Sequence, residues 1–272
     1  MTSTSSSSEP GILDRIVTSR RESLIYAKEQ VPLEQVRALA ERAPPVRSLD
    51  AAIRAKTTVA LIAEMKRSSA SAGELDPDLN PAKRACTYAE NGAAAISILT
   101  EPHYFKGGIS DVEAARQATE IFGIPILQKD FVIDEYQLFE GRAHGADAVL
   151  LIMGILSRGS YNHLFSLARS LGMDPLVEVF NLGELEEALE LSPRLIGINN
   201  RNLDSLEVSL TVFEQLATEI PLGTTLVAES GIKSVEDVRR MARAGANAVL
   251  VGESLMRTQN GLPAHISSLA NS

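Results

Sequence analysis

Only one cysteine, Cys86, occurs in 272 residues, so no disulfide can form within the chain and packing alone must hold the fold. That usage fits a reducing cytoplasm, and Cys86, inside a helix-like stretch, reads as a small packing residue. Basic residues are outnumbered, 26 Lys and Arg against 35 Asp and Glu, for a formal net charge of −9. With no long Lys/Arg run, a nucleic-acid groove and an anionic membrane surface are both disfavoured, while a local cationic pocket for a small anion stays open. Long hydrophobic runs are missing too. The longest, Ala146 to Leu156, contains Asp147 and is too short to span a bilayer. The opening MTSTSSSSEPG has neither a basic nor an apolar signal region, so residues 1–10 are expected to be a disordered tail.

Several kinds of chemistry are equally thin. The four histidines, His103, His144, His163 and His265, show neither HExxH nor any other metal-ligand spacing, so no metal is expected. There is no GxSxG elbow for a serine nucleophile. After the first strand-like run, EMKRSSASAG carries neither GxGxxG nor GxxxxGK[ST], which leaves a nucleotide-binding open sheet without its phosphate loop.

What the chain does have is alternation. From Thr58 onward, short aliphatic runs alternate with amphipathic stretches such as LGELEEALEL and SVEDVRRMARAGA. The runs are 58–66, 94–101, 125–131, 148–154, 175–180, 194–200, 225–231 and 248–254. Eight such units predict an α/β protein, a (β/α)8 TIM barrel, whose closure removes the exposed edges of an open sheet. Before the first strand, ILDRIVTSRRESLIYAKEQ and LEQVRALAERA read as two helices separated by Pro32 and closed by Pro44-Pro45. They make residues 11–57 an N-terminal helical extension of a single domain covering 11–272.

In such a barrel the residues that end the strands surround the active site. Here those ends are charged or polar: Glu64 and Lys66, Lys129, Glu178, Asn199 and Arg201, Glu229 and Ser230. Side chains alternate along a strand, so Glu64 and Lys66 share a face with Ala60 and Ile62, while Leu61 and Ala63 face the helices. The same parity aligns Lys129 with Leu127, Glu178 with Leu176, Asn199 with Gly197 and Glu229 with Val227. Burying so many charges is costly unless a ligand or partner compensates, which points to a reaction centre. The alternative is a set of strand-end ion pairs, Glu64 with Lys66 and Glu178 with Lys129, that only fasten the barrel. At the seventh and eighth strand ends, Gly231 and Gly252 would let backbone amides approach a phosphate. Ordinary turn chemistry is the other reading of each glycine. Glu253, beside that anion, is expected to use its amide and turn its carboxylate away.

The segment LIAEMKRSSASAG resembles the first-strand motif of indole-3-glycerol phosphate synthases. ILTEPHYFKGG, ILQKDFVIDEYQ, LVEVF, IGINNRNL, VAESGI and VLVGESLM resemble that family's remaining strand and loop motifs, in the same order, from about Ile12 to the C-terminus. The resemblance implies closure of a pyrrole ring in 1-(2-carboxyphenylamino)-1-deoxyribulose 5-phosphate, with loss of carbon dioxide and water and without a cofactor. It casts Lys129 as the acid that protonates the ketone oxygen, and Lys66 as the cation for the substrate carboxylate and a second proton donor. Glu178 becomes the acid/base carboxylate opposite Lys129, Glu64 the partner of Lys66, and Asn199 a hydrogen-bonding positioner. Arg201, Glu229 and Ser230 would orient substrate and lysines, and Ser69, Gly231, Gly252 and Glu253 fall on phosphate- or substrate-binding positions. Phe105, Phe131 and Leu203 would contact the anthranilate ring, with core packing the other reading of each phenylalanine. Association with other tryptophan-pathway enzymes also follows as an expectation.

Three positions depart from the family pattern: Ala70 where proline is usual, Gln128 where a basic residue is usual, and Phe180 where histidine is more common. Two other readings stay open, a phosphosugar isomerase or aldolase-like barrel with a Schiff-base lysine, and an inactive phosphate-binding scaffold.

Overall fold

The computed structural model describes residues 11–69, 73–202, 205–258 and 260–272. Eight parallel strands close into a barrel: β1 Ala60–Met65, β2 Ala95–Leu99, β3 Ile126–Lys129, β4 Ala148–Ile152, β5 Asp174–Val179, β6 Leu195–Asn199, β7 Thr225–Glu229 and β8 Ala248–Val251. Each lies within its expected run except at Asp174, one residue earlier. The first and last strands pair directly, Ala60 with Ala248 through Ala63 with Val251.

The strand parity read from sequence is realised as two cores. Ala60, Ile62, Leu127, Leu150, Leu176, Leu195, Val227 and Leu250 fill the barrel interior. Leu61, Ala63, Ile96, Ile126, Val149, Val177, Ile196, Ala228 and Val249 face outward into the layer beneath the helices. A slip of one residue in any strand would exchange these two sets, so register is strongly specified.

The enclosing helices are α4 Pro81–Glu90, α5 Ile109–Ala118, α6 Glu135–Ala143, α7 Arg158–Ser170, α8 Leu182–Leu189, α9 Thr211–Leu216 and α10 Val235–Arg243, with α11 Glu253–Arg257 and α12 Leu262–Ala270 after β8. Side-chain caps start several of them. Asn80 Oδ1 accepts from the Lys83 amide at 2.9 Å, and Asp134 and Ser234 each form a capping box. Cys86 is half-buried in α4, where its thiol donates to the Ala118 carbonyl, as a packing residue would. Among the described residues no helix is long and apolar enough to cross a membrane.

The extension holds three helices, α1 Ile12–Gln30, α2 Leu33–Glu41 and α3 Leu49–Arg54, one more than the sequence pattern indicates. At six residues α3 is too short to show a helical period. Its start is nonetheless marked: Ser48 Oγ accepts from the Ala51 amide at 3.1 Å. Leu49 and Ile53 join the interior cluster, and the Asp50 amide donates to Asp174 at the start of β5, so α3 plugs the bottom of the barrel. α2 packs on α6 through Val36, Ala40, Tyr136 and Phe139. α1 crosses towards the top, where Arg20 donates to both carboxylate oxygens of Asp130 at 3.0 and 2.8 Å.

Candidate active site

A cavity of about 1180 Å³ opens at the C-terminal ends of the strands. Its wall contains Glu64, Lys66, Ser69, Phe105, Lys129, Phe131, Glu178, Asn199, Arg201, Glu229, Ser230, Gly231, Gly252 and Glu253. Those are the site residues expected from sequence, save Leu203, which lies outside the described residues; so does Ala70 of the first loop.

Lys129, at the end of β3, is the hub. Its Nζ donates to Glu178 Oε2 at 3.2 Å and to Glu229 Oε2 at 2.9 Å, with both carboxylates almost wholly buried. Burial by itself favours the neutral amine, but the fields of Glu178, Glu229 and Glu64 outweigh it, so the pKa of Lys129 rises and the group is held as an ammonium. Glu229 moves oppositely to an ordinary carboxylic acid near a cation: burial, reinforced by the charge of Glu178 and opposed by Lys129, pushes it up to about 8.

The second lysine is held from β1. Lys66 Nζ donates to Glu64 Oε1, and Tyr88 of α4 donates from its hydroxyl to the Glu64 carbonyl at 3.1 Å. Both expected ion pairs therefore form, but they do so on the wall of the cavity and with Glu229 added, which a purely fastening role would not require.

Two glycines make room for these carboxylates. A Cβ at Gly252 would lie 2.1 Å from Glu64 Oε1 and 3.1 Å from Lys66 Nζ; one at Gly197 would lie 2.1 Å from Glu229 Oε1. Gly252 was expected on phosphate grounds alone, and the packing against Glu64 is a further reason for it. Gly197, which no motif marks as functional, is needed in the layer below Asn199 for the same steric reason.

Backbone at the rim is clamped by buried polar groups. Ser230 adopts a left-handed φ of 62°, uncommon for a residue with a side chain, and Gly231 follows at 84°. Asn200 holds this turn, its Nδ2 donating to the Glu229 carbonyl at 3.0 Å and the Ser230 carbonyl at 3.2 Å. Asn199 Oδ1 accepts from the Arg201 amide at 3.0 Å. On the aromatic side, the buried Glu101 carboxylate accepts from the amides of His103, Tyr104 and Phe105, fixing the loop that sets the Phe105 ring 6.0 Å from that of Phe131. Glu253 Oε1 accepts from Arg257 Nε at 2.9 Å, while Oε2 lies 3.8 Å from Arg201, so its charge is met by guanidiniums. The first-turn amides of α11, like those of any helix, have no carbonyl four residues back and are available to an anion.

Ile12, Leu13 and Ile16 of α1 also line the cavity, which sequence reasoning missed. Their spacing marks an apolar face, yet nothing local says that this face roofs a site and not a core. Asn200, Glu101 and Asp130 were missed because they act through neighbours. The two remaining departures from the family pattern lie off the reacting groups: Phe180 packs against the interior cluster, and Gln128 is buried on the outer face of β3 opposite Gly141.

The family model of indole-3-glycerol phosphate synthase matches residues 13–268. The chain belongs to that family. A relative from Albidiferax ferrireducens named indole-3-glycerol phosphate synthase is 47% identical over 249 residues, covering 90% of this chain and 93% of its own. A multifunctional tryptophan biosynthesis protein of Schizosaccharomyces pombe is 50% identical over 203 residues, 74% of this chain and 27% of that one. Among solved structures, a mutant tryptophan synthase alpha-subunit of Pyrococcus furiosus superposes with a TM-score of 0.60 at 16% identity, covering 79% of this chain and 99% of that one, which is likeness of fold.

Proposed function

We propose that the protein closes the pyrrole ring of 1-(2-carboxyphenylamino)-1-deoxyribulose 5-phosphate, releasing carbon dioxide and water, as a carboxy-lyase of tryptophan biosynthesis. The observation that carries this reading is Lys129, an ammonium held between the buried carboxyl groups of Glu178 and Glu229 inside a cavity whose wall also carries Gly231 and Gly252.

Attack of the aryl carbon on the ketone builds negative charge on the ketone oxygen. Lys129 supplies the compensating charge and the proton, forming a carbinol. Lys66 binds the substrate carboxylate until that group leaves as carbon dioxide, its electron pair restoring the aromatic ring. Loss of water then needs a donor to the carbinol oxygen and an acceptor for the proton released as the double bond forms. Lys66, whose proton is not yet spent, serves as the first; Glu178 serves as the second and passes that proton to Lys129, 3.2 Å away, restoring its ammonium. Glu64 orients Lys66, Glu229 orients Lys129, and Asn199, Arg201 and Ser230 position the substrate. Phe105 and Phe131, with Leu203, contact the arene, while Ser69, Gly231, Gly252 and Glu253 border the phosphate. Gripping phosphate and carboxylate at opposite ends folds a flexible substrate into its reacting shape. The charge state of Lys129 disfavours the Schiff-base reading, which requires a neutral amine.

On this reading residues 11–272 act as one domain in the cytoplasm. The multifunctional tryptophan biosynthesis relative, of which this chain matches 27%, supports association with other enzymes of the pathway. Indole-chromophore formation from the carboxyphenylamino substrate tests the assignment directly. Lys129→Ala is expected to lower kcat by at least about a thousandfold while inorganic phosphate still binds, because the lost group acts in the transition state. Turnover near that of the parent protein would remove Lys129 from the mechanism.

A further inference from the structure

The cations on the cavity wall are not equivalent. Lys66 is paired with Glu64, Lys129 with Glu178 and Glu229, and Arg201 and Arg257 share Glu253. Arg240 is turned to Glu214 at 2.7 Å. Among the described residues, Lys233 is the one cation on this wall whose charged group has no carboxylate partner.

Its place in the chain matters as much as its freedom. Lys233 follows Gly231 by two residues, and its carbonyl accepts from the hydroxyl of Ser254, which follows Gly252 by two. It therefore stands where the two glycine loops meet. Of the acidic residues that follow it, Glu236 is turned to Arg243 at 3.0 Å, and Asp237 spends its carboxylate on the amides of Lys233 and Ser234 and the Ser234 hydroxyl, at 2.9 to 3.0 Å, capping α10. The ammonium of Lys233 is exposed and left to meet something from solution.

We propose that Lys233 is the outer phosphate cation of the site, a specificity residue that captures the phosphoryl dianion at the rim and takes no part in the ring chemistry. For the identity of the anion the inference rests on the proposed function. The electrostatics supply its reason. A chain with a net charge of −9 repels a substrate carrying both a carboxylate and a phosphate, and the paired cations of the wall project little net field. An unpaired ammonium beside the amide-lined rim reverses the local sign where the substrate enters. Being exposed, it contributes more to capture at low ionic strength than at high.

The test compares Lys233→Met and Lys233→Arg with the parent protein in steady-state turnover at two ionic strengths, together with calorimetric binding of inorganic phosphate. Lys233→Met is expected to lower kcat/KM by roughly 5- to 20-fold at low salt, almost wholly through KM, and to flatten its salt dependence. Phosphate affinity should fall in parallel, and Lys233→Arg should restore both. Unchanged kcat/KM and phosphate affinity in Lys233→Met would overturn the inference, as would a loss confined to kcat. Should the parent protein fail to convert the substrate yet bind phosphate in a Lys233-dependent way, the cation site would stand and the substrate assignment would fall.

Discussion

Glu229 sits under three influences at once: a buried position, the neighbouring charge of Glu178 and the ammonium of Lys129. Its folded-state value of about 8 lies above the ordinary 4.5 that it recovers on unfolding. The folded chain therefore keeps a proton that the unfolded chain releases over that interval. Stability contributed by this group is full below the lower value and lost as pH rises towards the upper one. Urea unfolding of Glu229→Gln should accordingly lack a downward slope seen in the parent between pH 5 and 8, a slope of at most about 1.4 kcal/mol per pH unit. Identical slopes in the two proteins would show that Glu229 is ionised throughout. The charged strand ends were legible in sequence because a period of two separates barrel mouth from helix layer, residue by residue. Gly197 was not legible, since its requirement comes from a carboxylate on the neighbouring strand, and only the Gly197–Val227 register brings Glu229 over it.

At the level of elements, α1 is fastened to the reaction centre by a single buried bridge. Asp130 directly follows Lys129, and besides Arg20 it accepts from the Thr100 hydroxyl at 2.8 Å and the Phe131 amide at 2.8 Å. Removing the guanidinium leaves a carboxylate whose side chain has no exposure without its charge partner. Arg20→Met is thus expected to cost about 3–5 kcal/mol by urea denaturation. A loss under 1 kcal/mol would mean that α1 docks through its apolar face alone. Helix and strand order came readily from sequence, where caps and aliphatic runs are local signals. The docking of α1 over the mouth and the plug made by α3 depend on partners more than a hundred residues away, Asp130 for Arg20 and Asp174 for Ser48.

On the scale of the whole molecule, the last helix matters as much as the first strand. Ile266 and Leu269 of α12 are fully buried in the outer core, and the Thr58 hydroxyl just before β1 donates to the carbonyl of Ala270. Leu269→Ala should destabilise the protein by about 2–5 kcal/mol, read from the urea midpoint, because the surrounding barrel and helices cannot collapse into the void. A midpoint unmoved by the change would make α12 an appendage. The number of strands and their closure were visible in the sequence as eight repeated units, whereas the seam between β1 and β8 emerges only from the assembled ring.

That seam has a consequence for synthesis. Glu64 and Lys66 lie near one end of the ring's sequence and the glycine that shelters them near the other, so a ribosome must finish nearly the whole message before the reaction centre can exist. A chain stopped before β8 leaves the edges of β1 and β7 unpaired and its charges open to water, a target for proteolysis or aggregation.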